Sequence, residues 1–220
     1  MTTPIRFVRL LAIAACMAFG PALAQDYVPI NLQLLSAARA GDLSALRKLI
    51  AEGAAIDARN RLGETPLMIA LKRGDEAMVT WLVDNGADVK QGGVNGVTPL
   101  MTASFDGRTE IARLLLEHGA DPHAVDRVHK PAIVYAAGNG HTTIVAMLLD
   151  HGVAVNQRYA GEVTALMWAA GFNHVETAEL LLARGADASL RDDRGWTAAD
   201  QARANGYATL AARLEAARSQ

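Results

Sequence analysis

The sequence predicts an all-α fold, a solenoid of six helix–turn–helix units of 33 residues each. The first observation is the period, because glycine recurs every 33 residues at Gly53, Gly86, Gly119, Gly152 and Gly185. The second is that further columns keep this phase from Ala37 to Gly206 without an insertion. The third is composition: 51% of the residues are hydrophobic but only 5% are aromatic, which indicates helices that pack closely through small side chains.

The first helix of each unit is predicted from a threonine and an alanine column. Thr65 and Thr98 precede prolines, so a capping hydroxyl stands before a residue whose missing N–H costs nothing at the first helical position. Thr164 and Thr197 hold the same position, and Pro131 occupies it in the intervening copy. The alanines five residues beyond this column keep the first helix thin, and they are Ala70, Ala103, Ala136, Ala169 and Ala202.

The turn between the two helices of a unit is predicted from a glycine column. Gly74, Gly107 and Gly140 suit a left-handed residue that ends the first helix. Asn173 stands in this column and, as asparagine, tolerates the same conformation. The next residue starts the second helix, where a cap is favoured, and we expect the residues there to be helix caps. These residues are Asp42, Asp75, His141 and His174.

Two copies carry a family resemblance. The stretches TPLMIALKRGDEAMVTWLVDNGADV and TPLMTASFDGRTEIARLLLEHGADP resemble ankyrin repeats, whose motif begins T-P-L-H-x-A. The resemblance covers residues 27–218. It implies an N-terminal cap over residues 27–59, internal copies over 60–92, 93–125, 126–158 and 159–191, and a C-terminal cap over 192–218.

The chain departs from the family motif in two places. The motif's histidine is replaced in every copy, so we expect its hydrogen-bond network to be missing; the replacing residues are Met68, Met101, Val134, Met167 and Asp200. Pro131-Ala132-Ile133 blurs the start of the copy over residues 126–158. We therefore expect that copy to be the least rigid.

The N-terminus predicts export. Arg6 and Arg9 precede an uncharged apolar run that ends in Ala22-Leu23-Ala24, as in a secretory signal peptide. We expect residues 1–24 to be removed after Ala24, because an apolar run of about 15 residues is too short to span a bilayer as a helix. A lipoprotein processed at Cys16 and an uncleaved anchor are the alternatives. The expected location is the periplasm, without membrane insertion after cleavage.

The charge of the exported chain excludes two classes of partner. Removal of residues 1–24 leaves 19 basic and 23 acidic residues, a net charge of about −4 without a basic block. Nucleic acid and anionic lipid are therefore not expected as partners. The only cysteine leaves with the signal peptide, so packing alone must hold the fold together.

The sequence predicts no catalytic residue, metal ligand or cofactor. It contains no Gly-x-Ser-x-Gly, phosphate-binding glycine loop, His-Glu-x-x-His or paired cysteines. His118 and His151 share one repeat position, and His141 and His174 share another. Equivalent positions in stacked units lie about 8–10 Å apart, too far for one zinc ion at about 2 Å from each ligand.

The family resemblance implies a binding groove on the concave face, lined by the turns and by the first helices. Its predicted apolar residues are Val97, Phe105, Val163, Phe172 and Trp196. Its predicted polar rim consists of Arg61, Glu64, Lys72, Arg73, Asn95, Asp106, Arg127, Lys130, Asn139 and Arg194. Trp81 and Trp168 are expected to be wholly or partly in the core. Aromatic anchors inside a polar rim are typical of protein-binding hot spots, whereas scattered surface apolar residues alone need no explanation.

The resemblance and the export signal together predict a monomeric, non-catalytic binding protein of the bacterial periplasm. Its partner would be another protein held in the groove, and an assembly or protective role for an envelope enzyme is one version. An immunity or inhibitor protein against an exported toxin or enzyme is an alternative. A secreted effector directed at host proteins is another.

Overall fold

The computed structural model describes residues 28–218, which form twelve α-helices and one short 3-10 helix. The predicted signal peptide, its cleavage after Ala24 and the alternative at Cys16 lie outside these residues. The α-helices are α1 Ile30–Ala40, α2 Leu43–Ala51, α3 Pro66–Arg73, α4 Glu76–Asp84, α5 Pro99–Asp106, α6 Thr109–Glu117, α7 Ala132–Gly138, α8 Thr142–Asp150, α9 Ala165–Gly171, α10 Val175–Ala183, α11 Ala198–Ala204 and α12 Ala208–Ala217. The 3-10 helix is Ala160–Glu162. The all-α class and the six helix pairs are confirmed.

The helices stack in two layers. Odd-numbered helices pack on odd-numbered helices, and even-numbered on even-numbered, so each unit contacts the units beside it. From α5 to α11 the first helices contact one another more extensively than the second helices do. The array therefore curves towards the first helices, and their outer side is the concave face.

Two residue columns explain the layers. The alanine column of the first helices, Ala70 to Ala202, is completely buried and lets neighbouring helices approach closely. The second helices contribute a leucine column that is equally buried, and a buried leucine stabilises a fold by about 2 kcal/mol. This column consists of Leu82, Leu115, Leu148, Leu181 and Leu214.

The predicted threonine caps are present. The side chains of Thr65, Thr98, Thr164 and Thr197 each accept a hydrogen bond from the backbone N–H three residues later. Methionine partly replaces the missing histidine network, since the sulfurs of Met101 and Met167 accept the backbone N–H of Thr98 and Thr164 at 3.4 and 3.5 Å. In the last unit the Asp200 carboxylate accepts a hydrogen bond from the backbone N–H of Thr197 at 2.9 Å.

Replacing Thr164 by alanine should lower the free energy of unfolding by about 1 kcal/mol, because the N-terminus of α9 loses its cap. Urea unfolding followed by circular dichroism measures the change. Thr80→Ala is the control, because Thr80 is exposed within α4 and caps no helix, so its effect should stay within about 0.5 kcal/mol. Equal effects for the two variants would contradict the cap.

The turns inside the units are left-handed, as predicted. Gly74 has a φ of 78° and Asn173 a φ of 62°. Asp42 and Asp75 cap the second helices that follow them, accepting from the N–H groups of Ala45 and Met78. These expectations are confirmed.

The expectation that His141 and His174 act as caps was wrong. Neither side chain bonds to its own helix. The Nε2 atom of His141 lies 3.0 Å from the carbonyl oxygen of Phe105, and that of His174 lies 3.0 Å from the carbonyl of Gly138. Because a carbonyl only accepts, Nε2 donates in both contacts. Each histidine thus joins its unit to the end of the first helix in the preceding unit.

Arg73 and Asn205 make the same kind of contact at other junctions. The guanidinium of Arg73 donates to the carbonyl of Arg39 at 2.5 Å, and the amide of Asn205 donates to that of Gly171 at 3.0 Å. The last carbonyls of a helix lack partners within the helix, so a donor from the next unit satisfies them.

Among the helices of residues 28–218, none combines the length and apolar character needed to cross a membrane. The unit over residues 126–158 lacks a capping side chain, because Pro131 precedes α7. Its lower rigidity remains a prediction.

Candidate functional site

The segments between units place side chains at the concave face by a repeated local device. In three of them an Asn or Asp side chain accepts the backbone N–H groups two and four residues later, which fixes the turn. Asn60 accepts from Leu62 and Glu64 in this way. Asp126 accepts from Val128 and Lys130, and Asp192 from Arg194 and Trp196, all at 2.9–3.0 Å. Each of the three turns thereby fixes the backbone of one residue, and these residues are Glu64, Lys130 and Trp196.

Four aromatic side chains form a row along the first helices. The rings of Phe105 and Tyr135 meet edge to face with their centroids 6.1 Å apart. The rings of Trp168 and Phe172 stack with centroids 5.9 Å apart and planes at 6°. Phe105 and Phe172 are 54% and 55% exposed, so this surface has a large aromatic area that the fold itself does not bury. We call Phe105, Tyr135, Trp168 and Phe172 the aromatic row.

The side chain of Lys130 lies over one ring of the aromatic row, that of Trp168. The Nζ of Lys130 lies 4.4 Å from the centroid of the Trp168 ring, a cation–π contact between neighbouring units. Within residues 28–218 no carboxylate forms an ion pair with Lys130. The ammonium therefore retains capacity for an acidic group brought by a partner.

Trp168 and Trp81 were expected to be wholly or partly in the core, and both pack against it as half-buried residues. Trp168 is only half-buried, and it stacks on Phe172 at the surface. Tyr135, one repeat earlier, was missed as a site residue. A signal was present, because this repeat column contains Ile69, Thr102, Tyr135, Trp168 and Gln201. A column that accepts threonine and glutamine is not a uniformly apolar core position. Trp81 is half-buried beneath the Arg47 guanidinium, as a partly core residue.

Trp196 forms a separate contact near the C-terminus. Its side chain is 39% exposed, and the guanidinium of Arg194 lies 4.6 Å from its ring centroid. Arg194 also donates through Nε and Nη2 to the buried Asp192 carboxylate, at 3.0 and 2.6 Å. The indole and the arginine are therefore held in place before any partner arrives.

The end of the predicted groove that lies towards the N-terminus is polar. Lys72 donates to Glu64 across 2.5 Å, and Asn60 donates to the second oxygen of the same carboxylate. The hydrogen bond from Lys72, and then that from Asn60, lowers the pKa of Glu64. Val97 and Val163 are half-buried and pack on the core, so they contribute less surface than the aromatic row does.

Several predicted rim residues already have partners within the chain. Arg73 is exposed and donates to the carbonyl of Arg39 in the preceding unit, and its place in the rim stays a prediction. Asp106 pairs with Arg108 at 3.3 Å, Asn95 accepts from the N–H of Val97, and Asn139 donates to the carbonyl of Tyr135. Arg127 donates to the carbonyl of Val94 at 2.6 Å and is exposed, as is Arg61.

Two carboxylates of the last unit make stability depend on pH. Burial opposes the ionisation of Asp192, but hydrogen bonds from Trp196 and Arg194 outweigh it and lower its pKa. The N–H and hydroxyl of Thr197, with Arg203, lower the pKa of Asp200. A lowered folded-state pKa means that the stabilisation is present above the ordinary value of 3.8 and is lost as the pH falls below it.

We therefore expect the urea midpoint to be nearly constant between about pH 5 and 7 and to fall below about pH 4. An Asp192→Asn variant should start lower, because it loses the charge-assisted bonds to Arg194, and should lose less on acidification. Urea titrations at several pH values measure both slopes. An identical acid-induced loss in the variant would contradict the assignment to Asp192.

The described residues do not assemble a metal-binding group. Residues 28–218 contain no cluster of three or more His, Cys, Asp or Glu side chains that could hold a metal ion. His118 and His151 instead bond through Nδ1 to carbonyls of their own helices, those of Leu114 and Met147.

Comparisons with known proteins agree with this geometry. A family model described as ankyrin repeats (3 copies) matches residues 34–126 and 125–192. The structure is similar to the crystal structure of an ankyrin repeat domain from Acinetobacter baumannii AYE, with 32% sequence identity and a TM-score of 0.75. The match covers 84% of this chain and 96% of that chain. A comparison with curated proteins finds no match.

Proposed function

This chain belongs to the ankyrin-repeat family, whose members generally mediate protein–protein binding, and from that premise we propose that it is a periplasmic, non-catalytic scaffold. It holds one protein partner on its concave face. The observation that carries the proposal is the aromatic row, because two of its phenylalanines are more than half exposed while their neighbours hold them in fixed contacts.

The aromatic row has the features of a binding hot spot. Rigid aromatic side chains supply contact area at a low cost in conformational entropy, and hot spots are enriched in Trp, Tyr and Arg. Here Tyr135, Trp168 and the more distant Trp196 are held by Phe105, Phe172 and Arg194. A partner that covers the row removes exposed aromatic area from water without first ordering the side chains.

The charges around the aromatic row indicate the chemistry of the partner segment. Lys130 lies over Trp168 without a carboxylate partner in the described part of the chain, and Arg127 and Arg61 are exposed. An apolar segment that also carries an acidic side chain complements this surface. A carboxylate delivered to Lys130 on binding would fix the register of the segment.

The predicted export signal supports the periplasmic part of the proposal. A scaffold of this size in the envelope suits an assembly or protective factor for an envelope enzyme. An immunity or inhibitor protein against an exported toxin, or a host-directed effector, would use the same concave face, and the partner's identity separates the three.

Fractionation and capture test the proposal together. Osmotic-shock fractions should contain the protein shortened at Ala24, and globomycin should not change its processing. In-cell crosslinking followed by mass spectrometry should recover one partner with the wild-type chain. The variant Phe105→Ala/Phe172→Ala/Trp196→Ala should lose that partner. Capture that survives all three changes would contradict concave-face binding.

A further inference from the structure

A cavity separate from the aromatic row lies between two consecutive segments that join units. The segment over residues 122–131 and the segment over residues 152–160 border an open cavity of about 600 Å³. None of the lining residues belongs to the predicted concave-face set or to the aromatic row. A volume of this size falls in the range of about 300–1,000 Å³ that is typical of small-molecule sites.

We propose that this cavity binds a small organic carboxylate with an apolar body. The inference does not depend on the proposed function, because it concerns different residues and a different class of ligand.

The first argument is that the cavity wall contains a tyrosine at a repeat position that is Asn or Asp in three other units. Tyr159 occupies the position of Asn60, Asp126 and Asp192, whose side chains fix the turn in their own units. The phenol oxygen stands at the far end of a rigid ring, so it does not reach the two neighbouring backbone N–H groups that the shorter Asn and Asp side chains accept. The tyrosine ring instead forms part of the cavity wall and is only partly exposed.

The second argument is backbone strain at the opposite wall. His129 has a φ of 60°, in the left-handed region. Glycine occupies the equivalent position in three other units, as Gly63, Gly96 and Gly195, and Glu162, outside the cavity lining, adopts the same conformation with a φ of 61°. A non-glycine residue in this conformation is unfavourable and persists where its surroundings hold it. Pro131, which replaces the capping threonine of the other units, lines the same cavity.

These three departures from the repeat converge on one place. Each of His129, Pro131 and Tyr159 gives up a feature that helps the fold, namely a glycine turn, a cap or a turn-fixing acceptor. All three side chains line the same cavity. A ligand that contacts all three residues would account for their meeting at one cavity.

The chemistry of the lining selects the ligand class. Pro122, Val125, Pro131 and Val153 supply apolar walls, which suit a hydrocarbon or aromatic body. The polar groups are the imidazoles of His123 and His129, the guanidinium of Arg158, the amide of Gln157 and the phenol of Tyr159. The lining includes no carboxylate. These groups can donate hydrogen bonds to an anion, and none of them repels one.

Two details support a carboxylate as the polar end of the ligand. Arg158 pairs through Nη1 with Glu162 at 2.8 Å, but both side chains are about half exposed, so this ion pair is weak. Burial raises the pKa of Tyr159 to about 12, so the phenol remains a donor at neutral pH. A bidentate contact with the guanidinium is available to a planar carboxylate.

The test uses 4-phenylbutyrate as the probe and 4-phenylbutan-1-ol as its uncharged match. Titration of ¹⁵N-labelled protein followed by NMR should give saturable shifts confined to residues 122–131 and 152–160. The alcohol should bind at least about tenfold more weakly, because it lacks the charge. Shifts that do not saturate, or equal binding of the alcohol, would overturn the proposal.

Variants that restore the repeat's own residues complete the test. Tyr159→Asp introduces the residue found in two other units, so the variant should stay folded while its affinity for the probe falls at least about tenfold. His129→Gly should stabilise the protein and weaken binding severalfold. Thr80→Ala, on the exposed side of α4 and outside the cavity, should bind the probe like the wild type. Unchanged binding by Tyr159→Asp, or an equal loss in Thr80→Ala, would also overturn the assignment.

Discussion

Replacing Trp168 by alanine is expected to weaken binding of the protein partner by about 30-fold or more, which corresponds to about 2 kcal/mol. The change removes the ring on which Phe172 stacks and over which the Lys130 ammonium lies. Both neighbours lose their fixed positions, so the partner must order them on binding. Isothermal titration with the partner recovered by crosslinking measures the effect.

The matched control for Trp168→Ala is Leu32→Ala. Leu32 lies on α1 with 53% of its surface exposed, comparable to Phe105, but far from the aromatic row in the array. Its replacement should leave the affinity unchanged. Thermal unfolding of both variants shows whether a loss of binding reflects a loss of fold. A folded Trp168→Ala variant that binds like the wild type would contradict the role of the aromatic row.

Replacing Asp126 by alanine is expected to lower the free energy of unfolding by about 3 kcal/mol. The buried Asp126 carboxylate accepts from the N–H groups of Val128 and Lys130 and from the hydroxyl of Tyr135. Burial and this carboxylate together raise the pKa of Tyr135 to about 12, so the phenol remains the donor. Alanine leaves three donors without their acceptor, and urea unfolding measures the result.

Two further variants frame the Asp126 experiment. Asp126→Asn keeps one oxygen acceptor and should lose less stability than Asp126→Ala. Asp84→Ala removes an exposed carboxylate that lies 3.9 Å from the Nε2 of His118, and it should change the stability by less than about 0.5 kcal/mol. A loss below about 1 kcal/mol for Asp126→Ala would contradict the network.

The stack of helix pairs was predictable because each repeat column contains residue types that the local backbone requires. Thr65, Gly74 and Ala70 each satisfy a local need, namely a cap, a left-handed turn and a thin helix. Such needs recur with the same residue type in most of the units. Asn173 illustrates the strength of this signal, since the asparagine that replaces glycine adopts the left-handed conformation expected of it.

Contacts between units were less predictable. His141 and His174 stand at helix starts, where local rules predict a cap, yet each reaches a carbonyl 36 residues earlier. Trp168 lies in a helix with buried neighbours, but its contacts to Lys130 and Phe172 depend on how two units are stacked. A repeat column shows the residue types that all units share. A binding surface, in contrast, consists of residues that differ in only one or two units.

The cavity between residues 122–131 and 152–160 follows the same logic. His129, Pro131 and Tyr159 are visible in the sequence as departures from their columns, but only the fold brings them to one cavity. Residues that differ from the common type of their repeat column are therefore good candidates for a binding site when the fold brings them together.

Site-specific photo-crosslinking in cells tests the central claim, concave-face binding of a protein partner, most directly. A photoreactive residue is placed at Phe172 in the aromatic row and, in a second strain, at Thr80 on the exposed side of α4. Concave-face binding predicts one dominant crosslinked protein from position 172, absent from position 80 and lost when Trp168 is also changed to alanine. Crosslinking of the same protein with equal yield from both positions would contradict it.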